Sequence, residues 1–559
     1  MRPHWVWIAT LGLFVACARP EPQADLAILN GRVYTLESGQ AAWAEAVVVR
    51  GDSILYVGSS QGARRFIGPR TEVLDVQGGL VLPGFIDAHT HFLSGGFRLL
   101  GVDLRAAATE RDFIGRIAEK ARTLRPGQWI TGGDWDHQQW PSRQLPRREW
   151  IDSVTSQTPV FVTRHDGHMG LANSLALRLA GIGRHTPDPP GGQIVRDPRT
   201  GEPTGILKDA AMDLVYRVIP EPSRGEQAEA LRAAMREANR FGVTTVHNMG
   251  SWSELPVLDS LNRRGELTVR IYHFVPLPTV DSLIRFERRG GIRTPMLKTG
   301  GLKGFVDGSL GSSTALFFEP YTDDPGNRGL PNAMILPVGR LDSIIERADR
   351  AGLQVAVHAI GDSANKYLLD VFARVAARVG PHKRRFRIEH AQHLRPSEIA
   401  RFAQQEVIAS MQPYHAIDDG RWAERRIGPE RSRYSYAFRS LLQAGAVVAF
   451  GSDWTVAPLN PILGLYAAVT RRTPDGRHPN GWVPQEKISL EDALRSYTLA
   501  SAYAGFDEAR LGSLRAGKWA DIVVLDRDLF RLDPEQWKTV RVRYTIVAGR
   551  VVYRAGSQP

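Results

Sequence analysis

The chain has 559 residues, of which 43% are hydrophobic and 23% are charged, enough apolar material for the cores of more than one domain. This composition excludes disordered, collagen-like and small disulfide-stapled proteins. The 71 Lys and Arg residues exceed the 59 Asp and Glu residues by 12, but they form no basic block, so we expect no nucleic-acid partner.

The amino terminus has the anatomy of an export signal. An apolar run over 5–16 is shorter than the roughly 20 residues of a membrane-spanning helix. Cys17, the only cysteine, follows this run and resembles the acceptor of a bacterial lipoprotein signal, although Phe14 stands where leucine is commoner. We expect a signal peptide over 1–17, a tether over 18–24, and a lipid on Cys17 that anchors the exported protein to a bacterial membrane facing the periplasm. Ordinary secretion is the alternative.

The two ends of the chain differ in pattern from its middle. Short alternating strands with Asn-Gly and Gly-Asp turns fill 25–80, and similar segments return within 506–559. We expect these two regions to form one small β-sandwich. Residues 81–505 show a β-then-α rhythm that favours a parallel sheet, interrupted by an insertion over about 92–235 that is too long for one βα unit.

Eight apolar, strand-like segments lie in this middle region. They cover 84–88, 243–246, 269–272, 302–306, 354–357, 386–389, 407–411 and 446–450. Eight parallel strands predict an α/β fold with a closed (β/α)8 TIM-type barrel, in which catalytic groups lie at the carboxyl ends of the strands.

Metal-binding residue types follow four of these strands. His89 and His91 end the first segment, and two histidines at i and i+2 of an extended chain point the same way, which suits chelation. His358, His390 and Asp453 follow three others. An isolated His-x-His pair is as often a solvated strand end, but ligand types on four strands predict a metal site at one end of the barrel.

Lys303 lies in the fourth segment, between Leu302 and Phe305. Burial of an ammonium group is costly and lowers its pKa, which favours the neutral amine. A neutral amine can take up carbon dioxide, and the resulting carbamate can bridge two cations. The alternative is a lysine paired with Asp307 on the same strand face.

The motifs around these residues resemble those of the amidohydrolase superfamily, and more closely its YtcJ-like branch, which includes N-substituted formamide deformylase. They cover 81–91, 302–309, 358–362, 388–392 and 451–454, and 511–521 resembles the family's return into the sandwich. The resemblance extends over nearly everything after residue 25.

This resemblance implies a centre of two divalent ions. One ion would be held by His89, His91 and Asp453, the other by His358 and His390, with carbamylated Lys303 and a hydroxide between them. The metal-bound hydroxide would attack a small-molecule amide and break a non-peptide C–N bond, with Asp453 as the catalytic proton shuttle. The ligand types suit zinc, with manganese, iron and cobalt as alternatives.

Residues beyond the strand ends or in the insertion are candidate substrate contacts, although aromatic residues there more often close a core. They are Asp307, Ser309, His165, His168, Trp135, His415, Trp422 and Trp454.

Other functions remain open. With the same centre, the protein could be an N-acyl-amino-acid deacylase or a cyclic amide or lactone hydrolase. A reading of another class is a non-catalytic surface lipoprotein that binds metal or a small ligand. The expected partners are a small-molecule amide and a membrane, and a homodimer is left open.

Overall fold

The computed structural model describes residues 23–137, 140–164, 169–189 and 192–556. The predicted signal peptide, Cys17, His165 and His168 lie outside these residues. Within them, no helix combines the length and the apolar character needed to cross a bilayer.

Between residue 23, where the described part of the chain begins, and the barrel lie seven short strands and one α-helix. They are β1 (Leu26–Leu29), β2 (Arg32–Tyr34), β3 (Trp43–Ala44), β4 (Ala46–Arg50), β5 (Ser53–Gly58), α1 (Ser60–Ala63), β6 (Glu72–Asp75) and β7 (Leu80–Pro83). Four of them form a sheet in the order β5-β4-β1-β6, in which β1 runs antiparallel to β4 and parallel to β6.

The first barrel strand, β8 (Phe85–Thr90), leads through α2 (Phe92–Leu100) into a separate α/β unit. Its elements are β9 (Val102–Asp103), α3 (Glu110–Arg122), β10 (Gly132–Trp135), α4 (Arg148–Asp152), β11 (Phe161–Arg164), β12 (Met169–Ala172), α5 (Ser174–Leu179), β13 (Gly192–Arg196), β14 (Pro203–Asp209) and α6 (Asp213–Tyr216). The six strands form one sheet in the order β13-β14-β12-β11-β10-β9. A core that includes the fully buried Trp135 and Trp140 supports it.

Seven further strands complete the barrel. They are β15 (Val243–Met249), β16 (Arg270–Pro276), β17 (Leu297–Phe305), β18 (Gln354–Ala359), β19 (Arg387–His390), β20 (Ile408–Met411) and β21 (Val448–Phe450). All eight predicted strand segments are therefore present. Every residue of β8 and β15 is buried, as expected for parallel strands covered on both faces.

The strands run parallel in the order β8-β15-β16-β17-β18-β19-β20-β21. A bridge between Thr90 and Trp454 joins the first strand to the segment after the last. A Cβ on Gly451 would lie only 2.5 Å from the backbone nitrogen of His89, so glycine permits the close approach that shuts the ring.

Helices alternate with the barrel strands and pack around the barrel. They are α7 (Arg224–Arg240), α8 (Leu255–Arg263), α9 (Val280–Arg288), α10 (Arg340–Arg350), α11 (Asp362–Val379), α12 (Pro396–Gln404), α13 (Pro413–Asp419), α14 (Ala423–Ser432), α15 (Phe438–Gln443), α16 (Pro461–Thr470), α17 (Leu490–Ser496) and α18 (Leu499–Ala504). A capping box between Ser223 and Glu226 starts α7, and this helix packs closely against α2 because Gly96 has no Cβ to meet the Ala230 carbonyl oxygen.

The chain then returns to its beginning through β22 (Ile522–Leu525), α19 (Pro534–Trp537), β23 (Val542–Val547) and β24 (Arg550–Arg554). These strands join β7, β2 and β3 in a second end sheet, ordered β24-β23-β22-β7-β2-β3. Apolar residues of both end sheets share one core, among them Ile28, Val47, Val81, Ile522 and Ile546. The predicted fold, a TIM-type barrel with additional sheets built from both chain ends, is confirmed.

Candidate metal centre

The first set of predicted ligands meets across the seam of the barrel. His89 lies on β8, His91 directly follows it, and Asp453 follows β21. Asp453 Oδ1 lies 3.5 Å from Nε2 of His89 and 3.4 Å from Nε2 of His91. Four tetrahedral ligands at about 2.1 Å from a zinc ion stand about 3.4 Å from one another. The spacing of these three atoms therefore suits one shared ion.

The second set lies beside the first. His390, at the end of β19, has its ring centre 4.9 Å from that of His89 and 4.5 Å from that of His358, which lies on β18. The structure thus brings together all five predicted imidazole and carboxylate ligands at the carboxyl ends of the strands.

One nitrogen of each of three histidines is held by an acceptor. The bonds join His89 Nδ1 to Glu389 Oε2 (2.5 Å), His390 Nδ1 to Gln412 Oε1 (2.8 Å), and His358 Nε2 to the Gly308 carbonyl oxygen (3.0 Å). Because the partner atoms can only accept, the bonded nitrogen carries the proton and the other nitrogen keeps its lone pair. This is the arrangement that metal-binding histidines need.

Electrostatics favours the ligand forms of these groups. Burial, with the nearby Lys303, lowers the pKa of His89 to about 4, so its imidazole is neutral at pH 7. Burial alone would raise the pKa of Asp453, but the hydrogen bond from His91 and the nearby imidazoles hold it well below its usual range. A neutral imidazole beside a carboxylate can bind a cation without first losing a proton.

Lys303 lies within the same group of side chains. It is only 5% exposed, and its Nζ lies 3.1 Å from Nε2 of His89. Burial lowers the pKa of its ammonium to about 8. Its ion pair with Asp307, the alternative, does not form, because the Asp307 carboxylate instead accepts backbone N–H groups of Leu316, Ile360 and Gly361 at 2.9 to 3.0 Å.

Two of the predicted ligand residues adopt an unusual backbone. His390 has φ of 77° and Asp453 has φ of 55°, both in the left-handed region that residues with a side chain rarely occupy. Such a conformation costs about 1 to 3 kcal/mol and persists where the surroundings enforce it, most often at functional sites. In both cases it occurs where the chain leaves a barrel strand and the side chain turns into the centre.

His415, on α13, also reaches the centre. Its ring lies parallel to that of His390 at 6.4 Å, and ligand atoms of His415, His390 and Asp453 lie within 4.8 Å of one another. The Nε2 atom of His415 is buried and has no hydrogen-bond partner among the residues that the structure describes. This contrasts with the anchored nitrogens of His89, His358 and His390.

The other candidate substrate contacts lie in different settings. Trp454 is 6% exposed and packs on Phe92 and over Gly95 in the barrel wall. Ser309 is exposed and bonds to Ser312 at 2.8 Å. Trp135 is fully buried in the insertion core.

Asp307 and Trp422 complete the set of candidates within the described residues. Asp307 is buried, and through the three N–H groups named above it joins the loop after β17 to the segment ahead of α11. Trp422 is half-buried, with its ring 3.7 Å from the Cβ position of Gly311. The structure thus assigns a place in the barrel wall, a loop or the insertion core to most of these residues. Of the described candidates, it brings His415 beside the predicted ligands, and Asp307 Oδ1 lies 3.5 Å from Nε2 of His358.

Sequence reasoning missed the residues that orient the ligands. Glu389 holds His89, and Arg387 Nε in turn donates to Glu389 Oε1 at 2.7 Å. The signal was present, because two charged residues at i and i+2 flank the apolar Ile388 inside a buried strand. Gln412 carries no such signal, since a glutamine after a strand is ordinary.

A Gly-x-Ser-x-Gly pattern, which can mark a serine nucleophile, occurs at 58–62. Its Ser60 begins the short helix α1, where its Oγ accepts the backbone N–H of Asn30 at 2.9 Å. In the structure this serine has no histidine partner among its described hydrogen bonds, so the pattern does not form a catalytic triad there.

The donor set fits divalent ions. Buried imidazoles with one nitrogen anchored and the other free converge on a carboxylate. His415 Nε2 adds a buried polar atom that has no partner within the described part of the chain. Imidazole and carboxylate ligands together suit zinc and its neighbours in the first transition series.

Comparison with known proteins gives a consistent match. The profile described as "Amidohydrolase family" matches residues 72–553. Protein LONG AFTER FAR-RED 3 of Arabidopsis thaliana is 41% identical, over 95% of this chain and 92% of its own length. Putative amidohydrolase YtcJ of Bacillus subtilis (strain 168) is 33% identical, over 94% and 98%.

N-substituted formamide deformylase of Arthrobacter pascens is 30% identical, over 95% of this chain and 99% of its own length. Among solved structures, an uncharacterized metal-dependent hydrolase from Pyrococcus furiosus superposes with a TM-score of 0.74 at 30% identity, covering 90% of this chain and 99% of its own.

Proposed function

Since the chain belongs to the amidohydrolase family of metal-dependent hydrolases, as its motifs predict, we propose that it hydrolyses a C–N bond other than a peptide bond in a small-molecule amide. The observation that carries this proposal is the convergence of His89, His91 and Asp453, at 3.4 to 3.5 Å, beside His390. The similarity to a formamide deformylase supports an amide substrate.

Two divalent ions, most suitably zinc, would be held by the side chains that meet here. His89, His91 and Asp453 would hold one ion, and His358 and His390 the other, with a carbamate on Lys303 as a shared oxygen ligand. When bound, such ions polarise a carbonyl group and lower the pKa of a water molecule toward 7.

Asp453 would move the proton. Its carboxylate is anionic at neutral pH because the pKa is held well below its usual range, so it can accept a proton from the attacking water. It then donates this proton to the departing nitrogen, which leaves as an amine. General acid and base catalysis of this kind contributes about 10²- to 10⁴-fold in rate.

Lys303 supports the second ion in this proposal. With a pKa of about 8, part of the buried amine is neutral at pH 7 and can react with carbon dioxide. The carbamate would replace a positive charge 3.1 Å from Nε2 of His89 with anionic oxygens, which would favour a cation shared with that nitrogen.

Export and anchoring are a separate proposal that rests on the sequence alone. The apolar run followed by Cys17 supports a lipid anchor on the periplasmic side of a bacterial membrane. Labelling of the full chain with palmitate tests it, and an unlabelled, freely released product would support ordinary secretion instead.

The central experiment measures hydrolysis of N-formyl, N-acetyl and N-acyl-amino-acid amides, with cyclic amides and lactones, by the metal-loaded protein. Metal content is determined in the same samples. We expect amide hydrolysis that a chelator abolishes and added metal restores. Preferred turnover of lactones or acyl amino acids would overturn the proposed substrate class and favour a lactone hydrolase or an N-acyl-amino-acid deacylase. Full activity in metal-free protein would overturn the proposed metal-dependent hydrolysis.

A further inference from the structure

A buried arginine lies directly beneath the ligand histidines. Arg387 is on β19, and its side chain is fully buried. Its Nε donates to Glu389 Oε1 at 2.7 Å, and its terminal nitrogens donate to His247 Nδ1 at 2.9 Å, the Ala88 carbonyl oxygen at 2.6 Å and Ser410 Oγ at 2.9 Å. These four bonds use four of the five N–H groups that a guanidinium offers.

The partners come from different parts of the ring. Ala88 belongs to β8, His247 to β15 and Ser410 to β20, while the guanidinium also lies 5.2 Å from the ring centre of Phe274 on β16. A single side chain therefore touches four strands besides its own. A planar group with fixed donor directions can do this, whereas a lysine ammonium on a flexible stem cannot.

Glu389 connects Arg387 to the proposed metal ligand His89. One of its oxygens accepts from Arg387, and the other holds Nδ1 of His89 at 2.5 Å. All three side chains are fully buried. A carboxylate pinned at one oxygen has little freedom to rotate, so the other oxygen fixes both the proton position and the ring direction of His89.

We propose that Arg387 is a positioning residue that sets the metal affinity of the centre by holding Glu389 against His89. This inference rests on the proposed function, because it concerns the ion that His89 would bind. Without the guanidinium, Glu389 loses its buried counter-charge and is free to turn away from His89, and the ring loses the partner that orients it.

The test measures zinc binding directly. The dissociation constant for Zn²⁺ is determined by competition with a chromophoric chelator for the wild-type protein and for Arg387→Met and Arg387→Lys. Removal of a direct hydrogen-bond partner of a metal ligand weakens binding about 10- to 100-fold. We expect Arg387→Met to approach this loss, because Glu389, the direct partner of His89, is then no longer held in place. Arg387→Lys restores a positive charge but not the four bonds, so its loss should be smaller.

A spectroscopic measurement separates positioning from general stability. The visible spectrum of the Co²⁺-loaded protein reports ligand geometry, and we expect it to change in both variants. If Arg387→Met does not fold, Arg387→Lys carries the test alone.

Arg270 provides a matched control. It is 3% exposed and binds Asp521 through two bonds of 2.8 and 2.9 Å. It begins β16, at the end of the parallel barrel opposite to the carboxyl ends where the proposed ligands lie. Arg270→Met removes an equally buried ion pair, so it should lower the melting temperature while leaving the zinc dissociation constant and the cobalt spectrum unchanged.

The outcomes are distinguishable. Wild-type zinc affinity and an unchanged cobalt spectrum in folded Arg387 variants would overturn the inference and leave the proposed function intact. Equal weakening in Arg270→Met would also overturn it, because the effect would then follow from lost stability. Failure of the wild-type protein to bind any divalent ion would overturn the proposed function itself.

Discussion

Glu389 Oε2 lies 2.5 Å from Nδ1 of His89, and both side chains are wholly buried. A carboxylate in such a place is costly unless it is paired, and here the pairing fixes the orientation of His89, a proposed metal ligand. Each group in this chain of contacts can be altered separately, which makes the arrangement testable.

Glu389→Gln should lower the free energy of unfolding, because it removes the ion pair with Arg387 and places two hydrogen-bond donors against each other. The amide oxygen can still accept from His89, but the amide NH₂ then faces the donating Nε of Arg387. Breaking a buried ion pair in this way costs about 3 to 5 kcal/mol. Urea unfolding measures this loss, and Glu346→Gln, which removes an exposed pair with Arg350, is the control. Equal stability of the two variants would contradict the role of the buried pair.

Asp453→Asn should retain the fold and lose activity. The amide cannot accept a proton, so we expect kcat to fall about 10²- to 10⁴-fold or more. Circular dichroism and steady-state kinetics check both parts. Asp259→Asn, at an exposed pair on α8, should keep normal turnover. A well-folded Asp453→Asn protein with wild-type kcat would remove Asp453 from the proposed mechanism.

Reactivation should depend on carbon dioxide and on pH. The pKa of Lys303 is about 8 because of burial; below it the ammonium cannot react with CO₂, and above it the neutral amine can. At fixed dissolved CO₂, recovery of metal-stripped protein with Zn²⁺ should therefore speed up as pH rises through about 8 and then level off.

Labelling with ¹³C-bicarbonate provides the direct observation, since a carbamate carbon should appear in the NMR spectrum of the wild-type protein and be absent from Lys303→Met. Lys298→Met is the control, because this lysine pairs with Asp507 away from the centre. Full reactivation in rigorously CO₂-free buffer would show that no carbamate is needed.

His415→Ala should affect substrate turnover more than metal binding. The ring reaches the centre, yet its Nε2 lacks the anchoring acceptor that the other three histidines have, so we expect it to meet the substrate. Loss of one active-site donor costs about 10²- to 10³-fold in kcat. Metal content and kinetics of the variant together distinguish a substrate contact from a metal ligand. Loss of one ion per chain would show that His415 is a ligand.

Trp135→Ala tests the insertion. The indole is fully buried, and its Nε1 donates to the Val162 carbonyl oxygen at 2.9 Å. Replacement of a buried tryptophan by alanine costs about 3 to 5 kcal/mol. Calorimetry should detect a lower melting transition while the zinc content stays at the wild-type level. A variant with normal stability and a raised KM would favour the substrate contact predicted from sequence.

The sequence allowed the barrel to be predicted because its strands are buried on both faces and therefore read as continuous apolar segments. It also placed His89 and His91 correctly at the end of the first strand, since strand periodicity fixes their common face. The partners across the ring could not be derived in this way. The hydrogen bond from Arg387 to the Ala88 carbonyl oxygen forms only when the ring of strands is closed, so no local sequence pattern predicts it.

Loop residues were harder for the same reason. Asp307 follows a strand as the ligands do, yet its carboxylate serves backbone N–H groups of a neighbouring loop. His415 lies on a short helix whose direction depends on packing. Tertiary contacts decide how exposed such side chains are and in which direction they point. The periodicity of the sequence carries no information about these contacts.

The first ligand set straddles the join between the beginning and the end of the barrel, with His89 on the first strand and Asp453 just after the last, and with the Asp453 N–H donating to the His89 carbonyl oxygen at 2.8 Å. A cation bound there would hold the two ends of the barrel together. The binding site forms only when the ring of strands is closed, so bound metal would favour the closed barrel. Removal of the metal should therefore loosen the contact between β8 and β21 first.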